Sequence, residues 1–221
     1  MTEFERDRET AQQAIIRVSD GRGFIVEGET HLSGDRDRYV ITAAHCLPDL
    51  PPAHPAAYTE ELTYKDLLGP LGQEPTVWAE CAFVDPIADI AVLISPDNQA
   101  LSDQADAFEE LIFKRPALTI AEAPAQDRKQ VELEPDNVIE VDTPGEGDVH
   151  VLSLDGKWVA VRVRRRRGWL SIEPEKRILP GMSGSPVMLA GAAIGLLSFD
   201  IRSPTLIDNL PTRLVRAIHR S

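Results

Sequence analysis

Short segments of β-strand character, separated by turn signals, constrain the fold of this chain more than any other feature. Five such segments lie in the first hundred residues and seven lie beyond residue 128. Their apolar residues alternate or form brief runs rich in valine and isoleucine, which is typical of strands. Many short strands at close spacing predict an all-β fold made of barrels or sandwiches. The predicted strands are residues 14–19, 23–28, 38–44, 76–84, 89–95, 129–134, 137–143, 148–154, 158–165, 168–174, 185–190 and 192–199.

Three segments depart from this strand pattern. Residues 47–75 contain six of the prolines and predict a long loop, with one helical turn within residues 59–68. Residues 98–127 are acidic and alanine-rich, which indicates a linker between two β units. Near the C-terminus, Leu214, Val215 and Ile218 recur at helical spacing after a proline and predict a short helix.

Charge and cysteine content exclude several classes of protein. The net charge is −13 at pH 7, so nucleic acid and anionic membrane surfaces are not expected partners. No apolar run approaches the ~18 residues of a membrane span, and the N-terminal residues lack the apolar core of a secretory signal. Cys46 and Cys81 therefore read as reduced thiols, and we expect a cytoplasmic protein. The scattered histidines and cysteines predict neither a metal site nor a cofactor.

The densest basic stretch runs from Arg162 to Arg167, where five of six residues are arginine. It ends one predicted strand, and Gly168 begins the next, so it is expected to cap a hairpin. Charges at such a position discourage pairing with foreign strands. Binding of an acidic partner or of nucleic acid is the alternative interpretation.

Three motifs with hydrolase chemistry follow one another in a fixed order. ITAAHC contains His45 at the end of a predicted strand, and DIAVL begins at Asp89. GMSGSP spans Gly181–Pro186 and places Ser183 between two glycines. A serine hydroxyl is a weak nucleophile that needs an adjacent base, and the base needs a partner that fixes its tautomer. The three residues predict such a set: Ser183 as nucleophile, His45 as general base and acid, and Asp89 as the group that orients His45.

These motifs and their order resemble the trypsin/chymotrypsin-like serine peptidases, in which TAAHC, a DIAL-like segment and GxSGxP carry the triad. The resemblance implies two six-stranded antiparallel β-barrels with a short C-terminal helix and the site in the cleft between them. The first barrel would be residues 12–100, the linker residues 101–127, and the second barrel with the terminal helix residues 128–221. The implied activity is endopeptidase cleavage of a polypeptide through an acyl-enzyme, without a cofactor.

The resemblance also implies an oxyanion hole and a substrate-binding surface. The backbone N–H groups of Gly181 and Ser183 would bind the developing oxyanion, and the missing side chain at Gly181 leaves room for it. Ser198 matches the family serine that contacts the triad aspartate, and the strand after it pairs with extended substrate. The residues implied at the pocket and on that strand are Arg177, Ile178, Leu179, Ser198, Phe199 and Asp200.

Two interpretations of the P1 pocket stay open. If Arg177 forms the pocket floor, an acidic P1 residue is favoured. If the loop is shortened, Ile178 and Leu179 line the pocket and small or apolar P1 residues fit. We favour the second, because a buried arginine without a carboxylate partner is unfavourable. Asp200 stands where the family usually has glycine at the pocket entrance.

Position 182 departs from the zymogen-activated members of the family. Met182 replaces the aspartate that pairs with a newly formed N-terminus, so trypsin-style activation is not expected. The pattern is closer to bacterial, high-temperature-requirement-like and viral relatives that are not activated from a zymogen. An unrestrained protease in a cytosol would be harmful, which predicts control by a partner protein or by a switch in the oxyanion turn. The alternative is a gated or inactive scaffold that acts as a binding module.

Overall fold

The computed structural model describes residues 3–29, 36–51, 59–121, 128–134, 137–142, 149–166, 169–173, 179–198, 205–206 and 210. Within these residues the helices are α1 (Glu3–Gln13), α2 (Thr59–Leu62) and α3 (Ser102–Phe113), with a 3-10 turn at Ala44–Cys46. The strands are β1 (Ile15–Val18), β2 (Gly21–Glu29), β3 (Arg36–Thr42), β4 (Thr63–Gly69), β5 (Val77–Asp85), β6 (Ile90–Ile94), β7 (Thr119–Ile120), β8 (Arg128–Glu134), β9 (Asn137–Asp142), β10 (Val149–Leu152), β11 (Trp158–Arg166), β12 (Trp169–Glu173), β13 (Pro186–Leu189), β14 (Ala192–Leu196) and β15 (Thr205–Leu206).

The first six strands close into an antiparallel barrel in the order β1-β2-β3-β6-β5-β4. Strands β2, β3 and β6 carry fully buried apolar side chains, among them Phe24, Ile25, Ile41 and Leu93. Closure of the barrel removes both sheet edges, and the buried side chains form a continuous core. The closed six-stranded antiparallel barrel that was predicted for the first β unit is therefore confirmed.

The second β unit also closes on itself. Strands β13, β10, β11, β12, β15 and β14 pair in that order, and a further antiparallel pairing of β13 with β14 completes the ring. Strand β7 joins β14 in parallel as a seventh strand. The predicted two-barrel, all-β architecture is confirmed, with one added parallel strand and a separate β8–β9 ribbon.

Helix α3 was not predicted, and it occupies much of the segment expected to be linker. Its buried residues, Ala105, Phe108, Leu111 and Ile112, recur at helical spacing. Phe108, Leu111 and Ile112 belong to the hydrophobic core that contains the buried residues of the first barrel. The Arg38 guanidinium donates hydrogen bonds to the carbonyls of Ile112 and Phe113, at 3.0 and 3.3 Å, and so satisfies the helix C-terminus. Acidic residues on the outer face of α3 make the segment look like a linker in sequence.

Strand β4 was predicted as part of a proline-rich loop. The predicted helical turn is present but is limited to α2, and the chain then enters β4. Asp66 has a φ of 50°, and the pairing of β4 with β5 shifts register between Tyr64 and Leu68. This irregularity breaks the apolar alternation by which a strand is recognised in sequence.

The arginine-rich stretch lies where the hairpin was expected. Arg162–Arg166 of β11 pair antiparallel with Glu173–Trp169 of β12. The helix predicted around Leu214 lies outside the described residues. Helix α1, which was also not predicted, accepts a hydrogen bond at the Arg8 carbonyl from Trp158 Nε1 (3.1 Å). No helix among the described residues is both long and apolar enough to cross a membrane.

Replacing Phe108 with alanine should reveal how much α3 contributes to the core. Phe108 is 1% exposed, whereas Phe113 on the same helix is 46% exposed. We expect Phe108→Ala to lower the free energy of unfolding by about 3–5 kcal/mol, measured by urea denaturation, because it leaves a cavity. Phe113→Ala is the matched control and should cost much less. Equal losses for the two variants would contradict the docking of α3 on the barrel.

Candidate active site

His45 and Asp89 lie at the same end of the first barrel because of strand pairing. His45 follows β3 directly, within the 3-10 turn Ala44–Cys46, and Asp89 precedes β6. Strands β3 and β6 are antiparallel neighbours in which Thr42 pairs with Ala91. The end of one strand and the start of the other are therefore adjacent, although 44 residues separate the two side chains in sequence.

The Asp89 carboxylate holds His45 at two points. Its Oδ2 lies 2.8 Å from His45 Nδ1, and its Oδ1 accepts the His45 backbone N–H at 2.9 Å. A carboxylate accepts and does not donate, so this contact assigns the proton to Nδ1 and leaves Nε2 as the basic nitrogen. Asp89 has a φ of 54°, a left-handed conformation unusual for a residue with a side chain.

Ser198 provides a third attachment for Asp89. Its hydroxyl donates to Asp89 Oδ2 at 2.6 Å, from the residues that follow β14 in the second barrel. A short hydrogen bond to a carboxylate is stronger than one between neutral groups. The contact predicted for Ser198 through the family resemblance is thus present in the geometry, and it fixes Asp89 from the opposite barrel.

A tight turn before β13 presents Ser183. Met182 N–H donates to the Leu179 carbonyl at 3.1 Å, and Ser185 N–H donates to the Met182 carbonyl at 3.0 Å. Gly184 N–H reaches the Leu197 carbonyl at 2.7 Å, which ties the turn to the end of β14. Met182 is fully buried beneath the turn. Backbone hydrogen bonds therefore hold the chain on both sides of Ser183, the candidate nucleophile.

Gly184 is required by the contact between the two barrels. Its φ is 78°, and a Cβ built there would lie 1.8 Å from the Arg22 carbonyl oxygen and 2.8 Å from Thr42 Oγ1. No side chain fits at that distance. The glycine that sequence reasoning assigned to the serine turn thus also permits the close approach of β2.

Gly181 and Ser183 carry the predicted oxyanion donors. Gly181 has a φ of 87°, and a Cβ there would meet nothing closer than 3.7 Å, so conformation and not space favours glycine. Within the described part of the chain, neither the Gly181 nor the Ser183 backbone N–H has a hydrogen-bond acceptor. Two unsatisfied N–H groups on one turn are suited to binding an anionic oxygen.

His45 and Ser183 line the same cavity, which has a volume of about 570 Å³. Its wall combines residues from both barrels, so it lies where they meet. The cavity is lined by Ser19, Asp20, Gly21, His45, Cys46, Leu47, Pro48, Leu179, Pro180, Gly181, Ser183, Leu197 and Ser198. Leu179, which is 49% exposed, is the predicted pocket residue that the structure places on this wall. Arg177, Ile178, Phe199 and Asp200 lie outside the described residues.

Sequence reasoning missed the cavity wall contributed by the start of β2. Asp20 and Gly21 line the cavity, and Arg22 lies directly behind the serine turn. A Cβ on Gly21 would lie 2.5 Å from Cys46 Sγ, so this glycine makes room for the cysteine after His45. The glycines flanking Arg22 were the available signal, but they resemble any turn before a strand.

Both cysteines are free and buried, and neither is poised for thiol chemistry. Burial raises the pKa of Cys46 to about 11, and the charge of Asp89 adds to this, while a hydrogen bond with Thr42 opposes it. Burial likewise raises the pKa of Cys81 to about 11. In the described ranges no group of three His, Cys, Asp or Glu side chains is placed to hold a metal ion.

Comparison with known proteins gives a likeness in structure only. No protein-family model matches the chain, and no curated protein sequence matches it. Among solved structures, it is similar to the serine protease domain of the Sesbania mosaic virus polyprotein, with a TM-score of 0.49 and 12% identity. The match covers 89% of this chain and 89% of the viral domain.

The buried thiols should make stability fall at alkaline pH. The unfolded chain ionises its thiols above the ordinary pKa of 9.0, whereas the folded chain holds them protonated to about 11. The contribution of the protonated thiols to the free energy of unfolding is complete below pH 9. It is lost as the pH rises, by roughly 2 kcal/mol per thiol at about pH 10.5. Urea denaturation of wild type and of a Cys46→Ala, Cys81→Ala double variant, at about pH 8 and 10.5, measures this.

The double variant is the control, and it should lose less stability between the two pH values than wild type does. A thiol reagent added to the native protein near neutral pH should modify neither cysteine, because the thiolate is the reactive form. Rapid native-state modification of Cys46 would contradict the assignment.

Proposed function

We propose that this chain is a serine endopeptidase that cleaves peptide bonds through an acyl-enzyme at Ser183. One observation carries the proposal: Ser183 shares a cavity with a histidine whose tautomer and orientation are already fixed by a carboxylate. A histidine held in this way activates a serine hydroxyl when its free ring nitrogen comes within hydrogen-bond reach of that hydroxyl. The unsatisfied N–H groups of Gly181 and Ser183 support the same reaction class.

In the proposed reaction, His45 Nε2 removes the proton from Ser183 Oγ as that oxygen attacks the scissile carbonyl carbon. The carbonyl oxygen becomes an oxyanion, held by the N–H groups of Gly181 and Ser183. Loss of one such donor typically removes about 3 kcal/mol of transition-state stabilisation. The imidazolium then protonates the leaving amine, and water activated by the same nitrogen hydrolyses the acyl-enzyme. Asp89 stays ionised and stabilises the imidazolium.

The oxyanion turn bears on how such an enzyme would be controlled. The turn is braced at Gly184 and Ser185, and its two N–H groups are already unsatisfied. We therefore propose control by a partner protein that governs access to the cavity, rather than by refolding of the turn. Both cysteines are free, which supports a reducing compartment, and on that ground we propose a cytoplasmic location.

A fluorophosphonate probe tests the proposed nucleophile directly. Wild type should be labelled at Ser183, and Ser183→Ala should not be labelled at all. Asp89→Asn should keep the fold but lower kcat about 10⁴-fold, because the imidazole is left in the wrong tautomer. Ser198→Ala removes one charge-assisted hydrogen bond and should lower kcat about tenfold.

Ser95→Ala is the matched control, because Ser95 is a partly buried serine that does not line the cavity. It should be labelled at the wild-type rate. If folded wild-type protein is not labelled under any condition, the peptidase proposal fails and the binding-module alternative stands.

We propose small or apolar P1 residues for this enzyme, supported by Leu179, Pro180 and Leu197 on the cavity wall. Digestion of a peptide library should give cleavage after such residues, and Leu179→Asp should lower kcat/KM for them roughly tenfold or more, since it charges an apolar wall. Phe113→Asp places the same charge on α3 and serves as the control. Cleavage clustered after aspartate or glutamate would instead support Arg177 as the pocket floor.

A further inference from the structure

Arg22 is a buried cation at the junction of the two barrels, and the reaction outlined above does not use it. The residue is only 6% exposed. Its side chain leaves the first barrel, where Arg22 belongs to β2, and enters the second. The guanidinium donates to the Leu152 carbonyl at 2.7 Å and to the Ser153 carbonyl at 3.1 Å. Ser185 Oγ lies 3.5 Å from the same guanidinium, two residues after Ser183.

The backbone of Arg22 is joined to the active-site elements as well. Its N–H donates to the Ser183 carbonyl at 2.7 Å. Its own carbonyl accepts a hydrogen bond from Thr42 Oγ1, also at 2.7 Å. Thr42 ends β3, and His45 follows three residues later. One residue thus contacts the serine turn, the strand that leads to the histidine, and the end of β10.

Stability alone does not explain an arginine at this position. Among the described residues Arg22 has no carboxylate partner, and its charge is offset by carbonyl dipoles. Removal of a cation from water is unfavourable, and well-packed apolar residues often serve as well or better for folding. Burial lowers the pKa of the guanidinium, but arginine stays protonated in proteins. The five N–H donors in a planar fork can bind several carbonyls at fixed angles.

We propose that Arg22 is a positioning residue for the peptidase reaction, which sets the Ser183 turn relative to His45 by fastening β2 to the second barrel. The inference rests on the proposed function. The side chain anchors Arg22 on the carbonyls of Leu152 and Ser153, and the backbone N–H of the anchored residue then fixes the Ser183 carbonyl. Small displacements of a nucleophile relative to its base reduce the chemical step strongly.

The first experiment compares Arg22→Met and Arg22→Lys with wild type in peptide hydrolysis. Arg22→Met should fold but lower kcat roughly 10- to 100-fold with KM changed less than about threefold, because misplacement affects chemistry more than binding. Arg22→Lys keeps a cationic group that can donate to the carbonyls, without the planar fork, and should recover part of kcat. Arg38→Met is the matched control: Arg38 also binds backbone carbonyls, but those of α3, away from the cavity.

Two further readouts separate positioning from loss of folding. Methylguanidinium added to Arg22→Ala should restore kcat in a saturable manner, and it should have no effect on wild type. Hydrogen exchange in a peptide covering residues 179–187 should be about tenfold faster in Arg22→Met than in Arg38→Met, because the turn loses its fixed support. The exchange measurement does not require an active enzyme.

The outcomes distinguish this inference from the proposed function. Absence of fluorophosphonate labelling in wild type removes the peptidase, and faster exchange of residues 179–187 in Arg22→Met would then still place Arg22 as the support of the turn. Wild-type kcat and wild-type exchange in Arg22→Met overturn the inference while the peptidase stands. Loss of kcat that only follows a loss of folded protein, without rescue by lysine or methylguanidinium, also overturns it.

Discussion

The close approach of β2 to the serine turn is the contact on which the rest of the site depends. The Arg22 N–H binds the Ser183 carbonyl at 2.7 Å, and Gly184 lies so close to the Arg22 carbonyl that a Cβ would come within 1.8 Å. Side chains of both barrels belong to one hydrophobic cluster, and short backbone contacts of this kind fix how the barrels are placed relative to each other. Because His45 belongs to one barrel and Ser183 to the other, the geometry of this contact sets the geometry of the site.

The other part of the site, His45 with Asp89, is held differently, by strand pairing and by hydrogen bonds to the Asp89 carboxylate. Pairing of β3 with β6 brings His45 and Asp89 together within a single barrel, so their proximity follows from one register. The left-handed backbone of Asp89 is a strained conformation. Hydrogen bonds from the His45 backbone, the His45 ring and the Ser198 hydroxyl over-determine that conformation and keep it in place. The hydrogen bonds that keep Asp89 in this strained conformation thus also fix the tautomer of the His45 imidazole.

The sequence was most informative where a local pattern reflects a local cause. Alternation identified β5, which buries one face, and a brief apolar run identified β2, which is buried on both faces. The ITAAHC, DIAVL and GMSGSP motifs placed three residues that meet or line one cavity. The sequence was not informative where tertiary packing determines the local structure. Strand β4 bulges at Asp66, and α3 buries a narrow apolar stripe beneath an acidic face. Arg22 could not be found this way, because its carbonyl partners lie 130 and 131 residues further along the chain.

Cys46 shows how the same junction also limits the chemistry of the site. Its thiol packs where a Cβ on Gly21 would lie 2.5 Å away, and Cys46 directly follows the proposed general base, His45, in the chain. A thiol beside an imidazole could compete with Ser183 as a nucleophile if it ionised. Burial, with a smaller contribution from the neighbouring charge of Asp89, raises its pKa to about 11, so the thiol stays protonated near neutral pH. Burial of the Cys46 thiol, with a smaller contribution from the charge of Asp89, therefore keeps this cysteine from competing with Ser183 in the proposed reaction.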